Sequence, residues 1–131
     1  MFLIKVVAGM TGLSVGTLIY YDNIGLLKVT VRSGNNYRLY TDSDLLKLRI
    51  IVFLKKLRFK LGQIKTLLCG NYSSSKDLLE YCNVQIKVLR EEAAIFQENC
   101  EVLEIVIGEC KKTEVVAWES LFEVVATQKT G

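Results

Sequence analysis

Ten residues in the second half of the chain follow one another at alternating steps of three and four: Leu79, Cys82, Ile86, Leu89, Ala93, Phe96, Cys100, Leu103, Ile107 and Cys110. Strict alternation of three and four averages 3.5, the heptad period at which small and apolar side chains line one seam of an α-helix. At 1.5 Å of rise per residue the run makes a helix of roughly 50 Å. A seam of that length leaves water in one of two ways. It packs across its own domain, or it meets the seam of a second copy in a coiled coil. The 70 residues that precede it are too few to cover it alone, so a homodimer is the expectation.

The chain has 131 residues, enough for one domain or a small domain with an extension. Half of the residues are hydrophobic and 24% are charged, which excludes global disorder. The net charge of +3 conceals a division: residues 1–70 carry eleven Lys/Arg against three Asp/Glu, and residues 71–131 carry six against eleven. A basic half suits a polyanion, nucleic acid ahead of an anionic membrane surface. No stretch approaches the ~20 apolar residues of a spanning helix. The opening Met-Phe-Leu-Ile, interrupted by Lys5, is too short for a signal peptide. A cytoplasmic protein without a membrane partner is expected, with Cys69, Cys82, Cys100 and Cys110 as reduced thiols. The chain has no histidine, which removes His-dependent triads and the usual nitrogen metal ligand. No nucleophile–base set, phosphate loop or metal-ligand spacing appears, so no enzyme, cofactor or metal site is expected.

The first 70 residues read as short, punctuated elements of a mainly α fold. Lys5 to Thr11 makes two helical turns closed by Gly12. Ser14 is suited to cap a second helix over about Val15 to Asn23, because its hydroxyl accepts an orphan backbone N–H. Gly25 follows at a left-handed C-cap. Two short helices joined by a few residues containing glycine form a helix-turn-helix candidate. Val29-Thr30-Val31 and Tyr37-Arg38-Leu39-Tyr40 have strand composition, with turn chemistry in Ser33-Gly34-Asn35-Asn36 between them. They predict a hairpin, the arrangement called a wing. Thr41 to Asp44 opens with capping-box chemistry, predicting a helix from about Asp42 to Leu57, a break near Arg58 to Leu61, and a short helix to about Leu68. The polar Gly70 to Ser75 stretch marks a boundary. It separates a head of residues 1–70 and a linker of 71–77 from a seam helix of 78–112 and a tail of 113–131. In the tail, Glu114 to Ala126 predicts one more helix with Val115, Trp118, Leu121, Phe122 and Val125 on a broad apolar face.

Ile4 to Leu68 resembles the MerR family of transcription regulators. The resemblance rests on Thr11-Gly12-Leu13-Ser14-Val15, on Thr17-Leu18-Ile19-Tyr20-Tyr21-Asp22, and on Ile24-Gly25-Leu26-Leu27. It continues through Tyr37-Arg38-Leu39-Tyr40 and the helix ending Phe53-Leu54-Lys55-Lys56-Leu57. It implies a winged helix-turn-helix head and a long helix forming an antiparallel dimer coiled coil, to which the tail reading adds a short C-terminal helix. It also implies a homodimer on a two-fold element of double-stranded promoter DNA. There an effector makes the dimer distort the DNA and so serve RNA polymerase indirectly. The residue chemistry agrees. Tyr20, Tyr21, Tyr37 and Tyr40 offer hydroxyls to phosphate oxygens, Lys28, Arg32 and Arg38 supply charge, and Thr17 completes the set on the second helix. Lys56, Arg58 and Lys60 form a second basic cluster where relatives carry a second wing. The competing reading makes two of the tyrosines core rings and Arg38 a brace of the wing.

The departures from the family pattern bear on recognition. Gly16 and Ile19 stand where relatives usually have arginine, and an arginine–guanine contact carries ~1–3 kcal/mol of discrimination. Val29 replaces a usual proline, while Asn36 and Arg58 replace usual glycines. A second reading is therefore a helical dimer serving as a non-specific DNA-binding or protein-interaction module. The cysteines are expected to fill space, since Cys82 and Cys100 occupy seam positions and no cysteine or histidine follows Cys110. Only nineteen residues follow Lys112, too few to enclose a pocket alone. Trp118 and Phe122 are the candidates for a small effector site against the partner chain, or else pack the last helix onto the coiled coil.

Overall fold

Val7, Leu18, Tyr40, Leu48, Ile51 and Ile64 are the largest side chains wholly withdrawn from water, and all six come from the basic part of the sequence. The computed structural model describes residues 1–130, the side chains of 129 and 130 excepted. Its contacts divide into two units, Met1–Tyr81 and the chain from Cys82 onward.

The first unit begins with a short strand β1 (Phe2–Leu3), helix α1 (Ile4–Thr11) and helix α2 (Val15–Asn23). Gly12 ends α1 at φ 76°, in the left-handed region that glycine enters without steric cost. Ser14 caps α2 as its sequence predicts: its Oγ accepts the Thr17 N–H at 3.0 Å. Strands β2 (Val31–Arg32) and β3 (Arg38–Tyr40) form the hairpin. It is shorter than its composition predicts, and β1 joins it to make an antiparallel sheet of order β1-β3-β2. Phe2 pairs with Tyr40 and Val31 with Leu39. Helix α3 (Asp42–Lys56) starts at a complete capping box, in which Asp44 N–H donates to Thr41 Oγ1 at 3.1 Å and Thr41 N–H to Asp44 Oδ2 at 2.9 Å. Helix α4 (Leu61–Cys69) follows. These elements share one core, with Phe59, Leu67 and Leu68 closing it from the α4 side.

Two helices of this unit end in the same way. At the end of α2, Leu26 N–H donates to Tyr21 O at 2.9 Å and Gly25 N–H to Asp22 O at 3.1 Å. At the end of α3, Phe59 N–H donates to Leu54 O at 3.2 Å and Arg58 N–H to Lys55 O at 3.0 Å. Both are Schellman motifs, which satisfy the last carbonyls by turning one residue left-handed. Gly25 does so at φ 75° and Arg58 at φ 67°. Arg58 thus occupies a conformation that costs a side-chain-bearing residue about 1 kcal/mol or more.

The long helix α5 spans Ser75–Cys110. It starts earlier than the expected linker allows, because Ser74 Oγ accepts the Asp77 N–H at 3.2 Å and caps it. The division between the units falls inside α5, not at the polar stretch before it. Tyr72 and Tyr81 pack against the core of the first unit. In the second unit, helix α6 covers Trp118–Thr130, later than the predicted Glu114 start. Residues 111–117 are used instead to turn the chain. Gln128 of α6 lines a cleft together with Glu101, Glu104 and Lys112, so α6 runs back beside the end of α5.

Candidate nucleic-acid interface

Asp22 is the only carboxylate among the first 41 residues. It lies in the last turn of α2 and holds the hairpin to that helix with both oxygens. Oδ2 accepts the Arg38 Nε–H at 2.8 Å, and Oδ1 accepts the Val29 backbone N–H at 3.2 Å. The pair is largely withdrawn from solvent, with side chains 22% and 10% exposed for Arg38 and Asp22. Burial alone would raise the Asp22 carboxyl. The bonds from Arg38 and Val29 and the charges of Arg38 and Arg32 outweigh that effect, so the group titrates below its ordinary value. The helix and the wing are therefore tied to each other through one side chain. In the sequence Asp22 stands within the Thr17–Asp22 motif, which does not by itself assign it this role. Its isolation as the one carboxylate beside four cations in residues 1–41 was the available signal.

The wing tip is closed by its own backbone. Ser33 N–H donates to Tyr37 O and Asn36 N–H to Ser33 O, each at 2.9 Å. Asn36 sits at φ 63°, which asparagine tolerates better than most residues. Arg32 reaches back to Asn36 O at 3.3 Å. Tyr37 at the tip is 62% exposed and Tyr20 on α2 is 51% exposed. Lys28 and Arg32 are exposed on the connection and first strand of the hairpin. Thr17 is half-buried, its hydroxyl 2.8 Å from Ser14 Oγ. Gly16 is exposed on α2, and a Cβ there would meet only Ser14 Oγ at 3.8 Å.

Two of the four tyrosines expected at phosphates are corrected by the fold. Tyr40 is wholly buried in the core, and its hydroxyl makes no hydrogen bond among the described residues. It sits on the central strand, and burial followed by the Asp22 charge holds the phenol above its usual value. Tyr21 is 6% exposed and shares the buried face of α2 with Leu18, three residues before it. Its phenol is likewise raised, first by burial and then by Tyr20. Both rings are packing residues. Arg38 is committed at Nε to Asp22.

At the α3–α4 turn, Lys56, Arg58 and Lys60 are all exposed, and the Schellman motif at Arg58 sets the turn that presents them. Lys60 starts α4, its N–H donating to Gln63 Oε1 at 2.9 Å. Lys65, which sequence reading did not single out, donates from Nζ to Ile24 O at 3.0 Å. It caps the end of α2 and so ties α4 to the helix-turn-helix.

In the second unit, Phe96, Leu103 and Ile107 of the seam are exposed, as are Ala93, Cys100 and Cys110, while Cys82 and Leu89 are half-buried. Ile86 is also exposed, as is Leu79 in the part of α5 that belongs to the first unit. Trp118 and Phe122 form an exposed pair with ring centroids 6.0 Å apart. Leu121, between them in sequence, is the buried α6 residue among the described ones. A cleft of about 100 Å³ at the α5–α6 turn is lined by Glu109, Cys110, Val116, Ala117 and Leu121, among others. Among the described residues, no group of three His, Cys, Asp or Glu is placed to hold a metal ion, and no single helix is long and apolar enough to cross a membrane.

A helix-turn-helix whose second helix is strapped to a β-hairpin, with exposed cations and tyrosines on both, defines the winged helix-turn-helix class of DNA-reading modules. The family model described as MerR HTH family regulatory protein matches residues 2–70, and the chain belongs to the MerR family. The transcriptional activator TipA of Streptomyces coelicolor is 45% identical over 99 residues, covering 72% of this chain and 39% of that protein. The chain spans a quarter to about half the length of the curated relatives mta, TipA and SkgA. A MerR family regulator from Bacillus cereus superposes with a TM-score of 0.83 at 28% identity, over 96% of this chain and 94% of that one. HiNmlR, a MerR family regulator lacking the sensor domain and bound to promoter DNA, matches with a TM-score of 0.58 at 25% identity. That match covers 93% of this chain and 98% of the other.

Proposed function

We propose that the protein is a homodimeric, DNA-binding transcription regulator of the MerR type. It sits on a two-fold promoter element in the cytoplasm, and an effector changes the dimer so that it bends and untwists the DNA for RNA polymerase. The observation that carries the reading is the Asp22 strap. A helix and a wing tied to each other form one surface, so their exposed side chains meet the sugar–phosphate backbone in a fixed register. In this reading Tyr20 and Thr17 approach from α2, Lys28, Arg32 and Tyr37 from the hairpin, and Lys56, Arg58 and Lys60 from the α3–α4 turn. Polymerase is reached through the DNA.

Support comes from family membership and from the likeness to a relative captured on promoter DNA. Because α2 carries Gly16 and Ile19 where arginines would read guanines, selectivity rests more on DNA shape and deformability than on base edges. The α5 seam supplies the dimer. The effector is a small molecule received near α6, with Trp118 and Phe122 as its aromatic contacts. The test is selection of bound fragments from genomic DNA by the purified protein, followed by footprinting. Two protected half-sites related by a dyad are expected. Protection without a recurring sequence would favour the non-specific module.

A further inference from the structure

α2 carries no Lys or Arg, and its one charged residue, Asp22, is committed to Arg38 and the Val29 N–H. What the helix turns outward is a different set. Gly16, Tyr20 and Asn23 are exposed and Ile19 is half-buried beside them, while Leu18 and Tyr21 face the core. Gly16 is the odd member. Its φ lies outside the left-handed region that Gly12 and Gly25 occupy. A Cβ there would meet only Ser14 Oγ, at 3.8 Å. Neither backbone nor packing requires glycine at this position, and glycine is the poorest helix former after proline.

Ile19 and Tyr20 follow Gly16 at i+3 and i+4, where helical side chains lean back over the preceding turn. They wall an open notch whose floor is the Gly16 backbone. One wall is hydrocarbon. The other is the Tyr20 ring, which rests on the buried Tyr21 with centroids 6.2 Å apart. Gly16 lies in the first turn of α2, and the N-terminal residues of a recognition helix are those that meet base edges in the major groove. The floor of the notch has no side-chain donor or acceptor with which to read a base. In that groove the apolar feature that marks one base from the others is the C5-methyl of thymine. We infer that the notch over Gly16, walled by Ile19, takes the C5-methyl of a thymine in each half-site. The inference rests on the DNA-binding reading above and adds what α2 reads.

The two positions at which α2 lacks arginine thus gain a contact that an arginine there would block. A phosphate oxygen is a poor occupant, because the notch holds no cation and an anion entering it would shed water uncompensated. Tyr20 lends its ring to the wall and keeps its hydroxyl for the phosphate proposed above. DNA shape still governs the element as a whole, while the notch selects one base pair within each half.

The test measures binding to the promoter fragment recovered by genomic selection, and to copies in which each half-site thymine in turn becomes uracil. Uracil differs from thymine only in lacking the methyl. At one position the parent protein is expected to lose about fourfold in affinity per half-site, the worth of burying one such carbon. Ile19→Ala should erase that preference, and Ile19→Val should keep most of it. Gly16→Ala carries the methyl on the protein instead, so at that position it should bind uracil at least as tightly as thymine. Each preference is a ratio within one protein, so any change in stability cancels. A parent indifferent to uracil at every thymine, or a selected half-site without thymine, overturns the notch while leaving selective binding intact. So does a methyl preference that neither Ile19→Ala nor Gly16→Ala alters. Equal affinity for the selected fragment and a scrambled one overturns the regulator reading and the notch with it.

Discussion

Asp22 in the last turn of α2 accepts the Arg38 Nε–H of β3 at 2.8 Å, and this bond fixes the wing against the recognition helix. The carboxyl is held below its ordinary range, so its folded value lies under its unfolded value of about 4. Stabilisation from the pair is then complete above the unfolded value and lost as pH falls through the folded one. Asp22→Asn is expected to cost about 2 kcal/mol at pH 7, in the range for hydrogen bonds to charged groups. Urea titrations should find that cost shrinking toward pH 3. A cost independent of pH would show that the carboxylate charge is not its source.

Tyr40 carries a buried hydroxyl without a hydrogen bond among the described residues. Tyr40→Phe removes a desolvated polar group and leaves the ring, so stability should stay level or rise by about 1 kcal/mol. Affinity for DNA should be unchanged. A tenfold loss of affinity without a change in melting temperature would return Tyr40 to the DNA surface.

The Schellman turn at Arg58 makes a comparison of two substitutions informative. Both Arg58→Gly and Arg58→Ala lose the side chain, but only alanine keeps a Cβ at φ 67°. The glycine variant should be the more stable by about 1 kcal/mol. Equal melting temperatures would mean that the turn relaxes away from the left-handed region.

Lys60 and Arg38 should differ in their response to salt. If Lys60 contacts phosphate in each half of the proposed dimer, Lys60→Ala should make the slope of log affinity against log salt shallower by about 0.9 per contact. Arg38→Ala should weaken binding by freeing the wing while leaving the slope near that of the parent. The reverse pattern would make Lys60 the structural residue and Arg38 the phosphate ligand.

Much of the head was legible in the sequence because caps announce helix ends. Ser14, Gly25 and the Thr41–Asp44 box mark boundaries by chemistry that needs no tertiary contact. The strand β1 was not legible, since two residues are too short to display a period. Which two of the tyrosines are core rings stays open in the sequence, because composition does not separate a wet ring from a buried one. β3 is central in the sheet, and Tyr40 on it belongs to the core that the helices of the head share. Tyr20 and Tyr21 could not be separated by composition, although the three-residue step from Leu18 to Tyr21 marks the buried member. The α5 seam was plain from its spacing. The backward turn of α6 was not, because residues 111–117 carry no glycine or proline to announce it.

The central claim is sequence-selective DNA binding by a dimer, and equilibrium binding at one fixed salt concentration tests it most directly. The comparison is between the two-fold promoter fragment recovered by genomic selection and a scrambled fragment of the same length and composition. The account predicts tighter binding to the promoter fragment by at least ~10³, the low end for specific DNA-binding proteins, at two protein chains per site. Equal affinity for the two fragments would contradict it and leave a non-specific DNA-binding module.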